Sequence, residues 1–322
     1  LKEIAVDMDE VPQFTQWLKR RNIDVFSESE LEKTAFTAAE KQFLSNRKKQ
    51  AKKSFTSFLT AYPEGVNALN AHFVLAEIYF EESDMITALE HYQKLIDEKP
   101  NEYFVQALVR ATQILVQQGQ QASAVPYWKE LENVAVFPEN KRYALFNLMR
   151  WHYRSKAYES AQQKAEEVIE LENLEVKVKW DAYEILAQSA MELGDTIKAE
   201  KAFMTLESAP IDALAAEAHY FRAQQNHNNK EYEQSNEVIA LLSQKFSSQP
   251  FWAAKSLLLM AKNFNALNDA FQATYILESL ITNYDQFPDI VTKGKSLLQQ
   301  INEEQAKQNA SLTQENPSSE TP

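Results

Sequence analysis

A small residue followed four and seven positions later by apolar ones recurs seven times along this chain of 322 residues, and that repetition constrains the fold more than any other feature. The clearest trio is Ala88, Tyr92 and Leu95. The others begin at Ala51, Ala124, Ala161, Ala199, Ser235 and Ala273, so the steps are 37, 36, 37, 38, 36 and 38 residues. Offsets of four and seven put side chains on one face of a helix with 3.6 residues per turn, so each trio predicts an amphipathic helix. Units of this length cannot bury an apolar face alone and must stack on their neighbours.

A partner helix lies upstream of each trio and is clearest at His72, Leu75, Ala76 and Tyr79. Between the two helices stand turn signals: Ser83-Asp84, Gly119-Gln120, Gly194-Asp195, Asn229-Lys230 and Asn268-Asp269. The pattern therefore predicts an all-α fold, an αα-hairpin solenoid, with seven helical hairpins over residues 29–288. Only four glycines occur, which leaves little room for the tight turns of β-hairpins.

At the amino end, Phe14, Trp17 and Leu18 lie one period before Ala51 and behind Asp9 and Pro12. Residues 1–28 are thus expected to be the remnant of a preceding repeat plus a linker, and further repeats are expected upstream. At the carboxyl end, Val291, Leu298 and Ile301 follow Asp289, which predicts a capping helix over 289–305. Residues 306–322 are polar, and a disordered tail is expected there.

These residues resemble the tetratricopeptide repeat family: Ala216, Glu217, Ala218, Tyr232 and the Gly194-Asp195 turn fit its pattern. The resemblance implies a right-handed superhelix whose first helices line a concave groove. A nearer likeness, carried by Phe36–Phe43, Ser54–Pro63, Asn70–Tyr79 and Phe251–Tyr284, is to long periplasmic or envelope tetratricopeptide proteins of Bacteroidota-type bacteria. It implies a periplasmic or cell-envelope location, which nothing else in the chain encodes.

Carried over from the family, the groove positions of the first helices hold Phe36, Phe43, Phe73, Glu77, Phe80, Tyr143, Phe146, Arg150, Tyr153 and Tyr220, with Glu184, Gln188, Glu217 and Lys255 further along. Aromatic anchors among polar residues are typical of surfaces that bind peptides or protein partners. The competing expectation is that helix packing buries several of these rings and that the array only spaces a larger assembly. The heat-shock carboxylate clamp of this family is disfavoured, because Phe36, Glu40, Phe73 and Glu77 stand where it has Lys and Asn. Glycan binding is a weaker expectation, since Trp128 falls in the core pattern and no other tryptophan takes a groove position.

Chemistry beyond binding finds little support. The chain has no cysteine, and its five histidines form neither an HExxH pair nor a recurring Glu-x-x-His set. Glycine-rich phosphate loops and a nucleophile elbow are absent as well. No catalytic residue, metal or cofactor is expected. A net charge of −13 argues against nucleic-acid partners, whose affinity depends on neutralised phosphates. The basic run at Arg47, Lys48, Lys49, Lys52 and Lys53 reads as a solvated surface in preference to an anion site. No apolar run approaches the roughly 20 residues that span a bilayer, so direct membrane insertion is not expected. In the sixth hairpin, Arg222 stands where other units have leucine. It is expected to snorkel outward, or a small rotation is expected to insert Phe221 instead.

Overall fold

The computed structural model describes residues 20–21 and 27–315, with residues 308–315 as backbone. The remnant repeat expected at residues 1–28 and the end of the expected tail therefore lie almost wholly outside the described residues. Among the described residues there are fifteen helices and no strand. They run in pairs: α1 (Glu28–Leu44) with α2 (Lys48–Ala61), α3 (Ala68–Glu81) with α4 (Met85–Asp97), and α5 (Phe104–Gln117) with α6 (Gln121–Val134). Next come α7 (Pro138–Arg154), α8 (Tyr158–Ile169), α9 (Val176–Glu192) with α10 (Thr196–Leu206), and α11 (Asp212–Asn228) with α12 (Tyr232–Lys245). The last pair is α13 (Pro250–Ala266) with α14 (Ala270–Asn283), followed by α15 (Pro288–Glu315). The described residues fall into two compact units, unit 1 up to Trp151 and unit 2 from His152.

Each trio is sealed. No member of the seven is more than 3% exposed, from Ala51, Phe55 and Phe58 to Ala273, Leu277 and Leu280. In unit 1, Trp128 and Tyr92 fill the space between hairpins, and Ala76, Ala107 and Ala111 let the helices close around them. In unit 2, α15 packs on α14 so closely that a Cβ at Gly294 would sit 3.0 Å from Leu280 Cδ2. Ile301, 1% exposed, completes that core.

The seven hairpin turns share one conformation. Asn46, Ser83, Gly119, Lys156, Gly194, Lys230 and Asn268 all have φ between 55° and 75°. In each, the next amide donates to the carbonyl five residues back, as Asp84 does to Tyr79 at 2.9 Å and Asp195 to Ala190 at 2.9 Å. This is the bond pattern that closes a helix through a left-handed residue. Asp84, Asp195 and Asp269 then accept from the amides of Thr87, Lys198 and Gln272, capping the second helix. Asn46, Lys156 and Lys230 make the same turn without the glycine or aspartate that marks the other four. A left-handed lysine carries strain that glycine does not, so Lys156→Gly is expected to stabilise unit 2 by about 1 kcal/mol, read from the urea midpoint.

Glu32, 8% exposed, accepts from the Asn67 amide at 3.0 Å, and Gly65 leaves room for it. Part of the basic run is spent between hairpins, where Lys48 pairs with Glu81 and Lys52 with Glu82. In the sixth hairpin both anticipated outcomes occur together. Phe221 is 8% exposed and stacks on Phe203 at 4.1 Å, while the Arg222 guanidinium reaches out to Glu207 at 3.2 Å. The carboxyl-terminal helix runs ten residues past the bound expected at 305. Gln299–Glu303 and Gln300–Glu304 bonds support its outer face, and residues 303–307 are strong helix formers despite their polarity.

Candidate functional site

The first helices of unit 1 bring three of the expected residues into one cluster. Phe73, Glu77 and Phe80 lie on α3 at helical spacing, each partly buried. Phe73 stacks on Tyr103, which leads into α5, with ring centroids 4.4 Å apart. Glu77 accepts from the Tyr92 hydroxyl at 2.6 Å and from Arg110 at both carboxylate oxygens, each at 3.2 Å. The guanidinium of Arg110 lies 4.6 Å from the Phe80 ring centroid and donates to Gln113 at 3.4 Å. Burial and the Glu77 carboxylate both push the proton affinity of the Tyr92 hydroxyl upward, so it stays a donor. Burial pushes the Tyr103 hydroxyl up to about 12.

Beside this cluster, the Thr112 hydroxyl of α5 donates to the Tyr143 hydroxyl of α7 at 3.3 Å. One turn further, the Arg150 guanidinium covers the Phe146 ring at 4.4 Å. Rings faced by cations in this way remain partly open on a surface whose interior trios are sealed.

Unit 2 has its own cluster. Lys255 of α13 holds its ammonium 4.6 Å from the ring centroids of both Tyr220 and Trp252 and 5.3 Å from that of Phe251. The Tyr220 hydroxyl donates to Gln224 at 3.2 Å. Glu217, one turn before Tyr220, accepts from Gln188 of α9. Burial first, and then the Glu184 carboxylate, raises its pKa to about 7. Tyr153 packs edge-on against Tyr158 at 6.1 Å, and burial raises its proton affinity.

Two expectations about individual residues are corrected. Phe36 is 7% exposed and packs edge-on against Phe55 at 5.7 Å and Phe58 at 5.6 Å. It is a core residue, because α1 presents it to its own hairpin partner. Trp252, set aside as outside the groove positions, packs on Tyr220 at 5.5 Å beside Lys255. Phe43 is half-buried against the first hairpin's core.

Sequence reasoning missed Arg110 and Tyr103. Arg110 follows Glu77 by 33 residues, about one period less one helical turn. An opposite charge at that offset was the available signal. Among the described residues no three His, Cys, Asp or Glu side chains are arranged to hold a metal ion, and no helix is long and apolar enough to cross a membrane.

Paired helices with one repeated turn and one repeated buried trio define an all-α helical-repeat protein of the solenoid class. Residues 255–286 match the tetratricopeptide repeat family, and residues 69–155 match the fifth ARM-repeat domain of TT21. No curated protein matches the chain in sequence. Among solved structures, the chain is similar to a chain of the Naa15/Naa10 complex bound to HypK-THB, at 14% identity and a TM-score of 0.50, over 83% of this chain and 39% of that one. It is also similar to the C-terminal part of a repeat-containing protein from Cytophaga hutchinsonii, at 16% identity and a TM-score of 0.48, over 80% and 98%. A tetratricopeptide repeat protein from Parabacteroides merdae matches at 15% identity and a TM-score of 0.39, over 84% and 100%.

Proposed function

We propose that this chain is a non-catalytic scaffold that holds a peptide or partner protein against the aromatic face of its first helices. Tetratricopeptide-type repeats are generally protein-interaction scaffolds. The observation that carries the reading is the cluster on α3 and α5. Phe73, Phe80 and Arg110 stay partly open while every trio residue behind them is sealed. Partly open aromatic and arginine side chains, fixed by their neighbours, supply anchor area at little entropic cost. A cell-envelope location belongs to the same proposal and rests on the resemblance of the segments named above.

The Phe73→Ala/Phe80→Ala double variant is expected to lose partner capture from a native extract by more than roughly tenfold, with its helical circular dichroism unchanged. Undiminished capture by the folded variant would remove this face as the binding surface. Loss of helicity would make both rings core residues and favour the second reading, an array that only spaces a larger assembly.

A further inference from the structure

The Lys255 ammonium is the strongest candidate for a specific recognition group. It carries three N–H donors, and the rings of Tyr220, Trp252 and Phe251 attract its charge without accepting conventional hydrogen bonds. Among the described residues it has no hydrogen-bond acceptor, and no carboxylate oxygen comes within 4.0 Å of it. Burial lowers its proton affinity, a cost that an incoming anion would relieve. Lys293 of α15 adds positive charge near it, and the Glu217 carboxylate opposes that charge. Phe251 is 44% exposed and Trp252 and Lys255 are only partly buried, so the group is open to a ligand.

We propose that Lys255, walled by Tyr220, Trp252 and Phe251, receives an Asp or Glu side-chain carboxylate of a bound polypeptide segment. The inference rests on the reading of the first-helix face as a peptide-binding surface. A carboxylate fits better than the alternatives. A cation would meet Lys255 itself, and a polyanion would meet the net charge of −13. A side chain fits better than a chain end, because one ammonium and three apolar walls offer nothing further to hold a terminal group. The rings favour an aromatic residue beside the acid.

Docking also has a proton linkage. The groups around Lys255 are Glu217 and Tyr220 from α11 and Lys293 from α15, and Glu184 and Gln188 from α9 act on Glu217. A second negative charge makes ionised Glu217 less favourable, so Glu217 takes up a proton as the ligand binds. With Glu217 near 7 in the free protein, binding strengthens as pH falls from 8 to 6, where a ligand glutamate remains ionised.

The test is an NMR titration of the whole chain, following the Trp252 indole signal, with acetyl-Phe-Glu-amide, acetyl-Phe-Gln-amide, acetyl-Phe-Lys-amide and the free acid acetyl-Phe-Gln. The glutamate amide is expected to bind roughly tenfold tighter than the glutamine amide, tighter still at pH 6 than at pH 8, and to lose that preference in Lys255→Met. A Glu217→Gln variant is expected to bind it tightly at both pH values. Equal binding of the glutamate and glutamine amides would overturn the carboxylate site while leaving a peptide-binding face. Preference for the free acid or for the lysine probe would overturn it in favour of a chain end or a cation. Failure of all four probes to shift Trp252 would overturn it without touching the Phe73/Phe80 result, which reports the face in unit 1 separately.

Discussion

Trp128→Ala is expected to cost unit 1 about 4 kcal/mol, the largest single loss in this half of the chain. The indole is 1% exposed and sits in the cluster with Tyr92, Leu108, Ala111 and Leu131, where no neighbouring side chain is free to fill the void. Trp128→Phe separates ring volume from polarity. Among the described residues the indole Nε1 has no protein acceptor, so phenylalanine gives up no hydrogen bond there. Its expected cost is about 1 kcal/mol, set by the smaller ring alone. Urea unfolding followed by circular dichroism, with hydrogen exchange over α5 and α6, reads both variants. Equal losses for alanine and phenylalanine would mean that the indole is not wedged between hairpins as described.

Glu77→Ala is the second large effect, expected at about 3 kcal/mol. The carboxylate is a shared acceptor for the Tyr92 hydroxyl and the Arg110 guanidinium, and alanine leaves both donors in a partly buried site without it. Glu77→Gln keeps an acceptor oxygen and is expected to cost about half as much. In the Arg110→Met background the alanine change is expected to become cheaper, because one stranded donor has gone. Additivity of the two changes would show that Glu77 and Arg110 do not act as a unit. The arrangement also revises the role of Glu77 at the binding face. Its oxygens accept from Tyr92 and Arg110, so within the proposed face it positions Arg110 over Phe80.

How much of this was legible in the sequence differs by level. The helices and their buried faces were readable because spacing and side-chain size repeat: Ala88, Tyr92 and Leu95 announce a packed stripe wherever they recur. The turns were readable at Gly119 and Gly194, where the left-handed conformation demands its usual residue, but not at Lys156, which is held there by the hairpin around it. The proposed binding face was only half legible. Position in the repeat pointed to Phe73, Glu77, Phe80 and Tyr220, yet the same rule selected Phe36, which α1 turns into its own core. Arg110, Tyr103 and Trp252 escaped because they act across hairpins, where pairing depends on how far each connection carries the next helix. No one-period template records that distance.

The left-handed turn has a further consequence for how such a chain can change length. In every hairpin the left-handed residue stands five positions before the first trio residue, as Ser83 does before Ala88 and Lys230 before Ser235. It also stands seven after a fully buried residue of the first helix, as Ser83 does after Ala76 and Lys230 after Ala223. All the variation between 36 and 38 residues therefore falls outside the stretch from that buried residue to the end of the trio, in the outer helix ends and the links between hairpins. The turn with its flanking buried residues is a module of fixed gauge, and the outer helix ends and links are adjustable couplings. Insertions, deletions and exchanged modules can be absorbed at the couplings without disturbing the packing inside any hairpin.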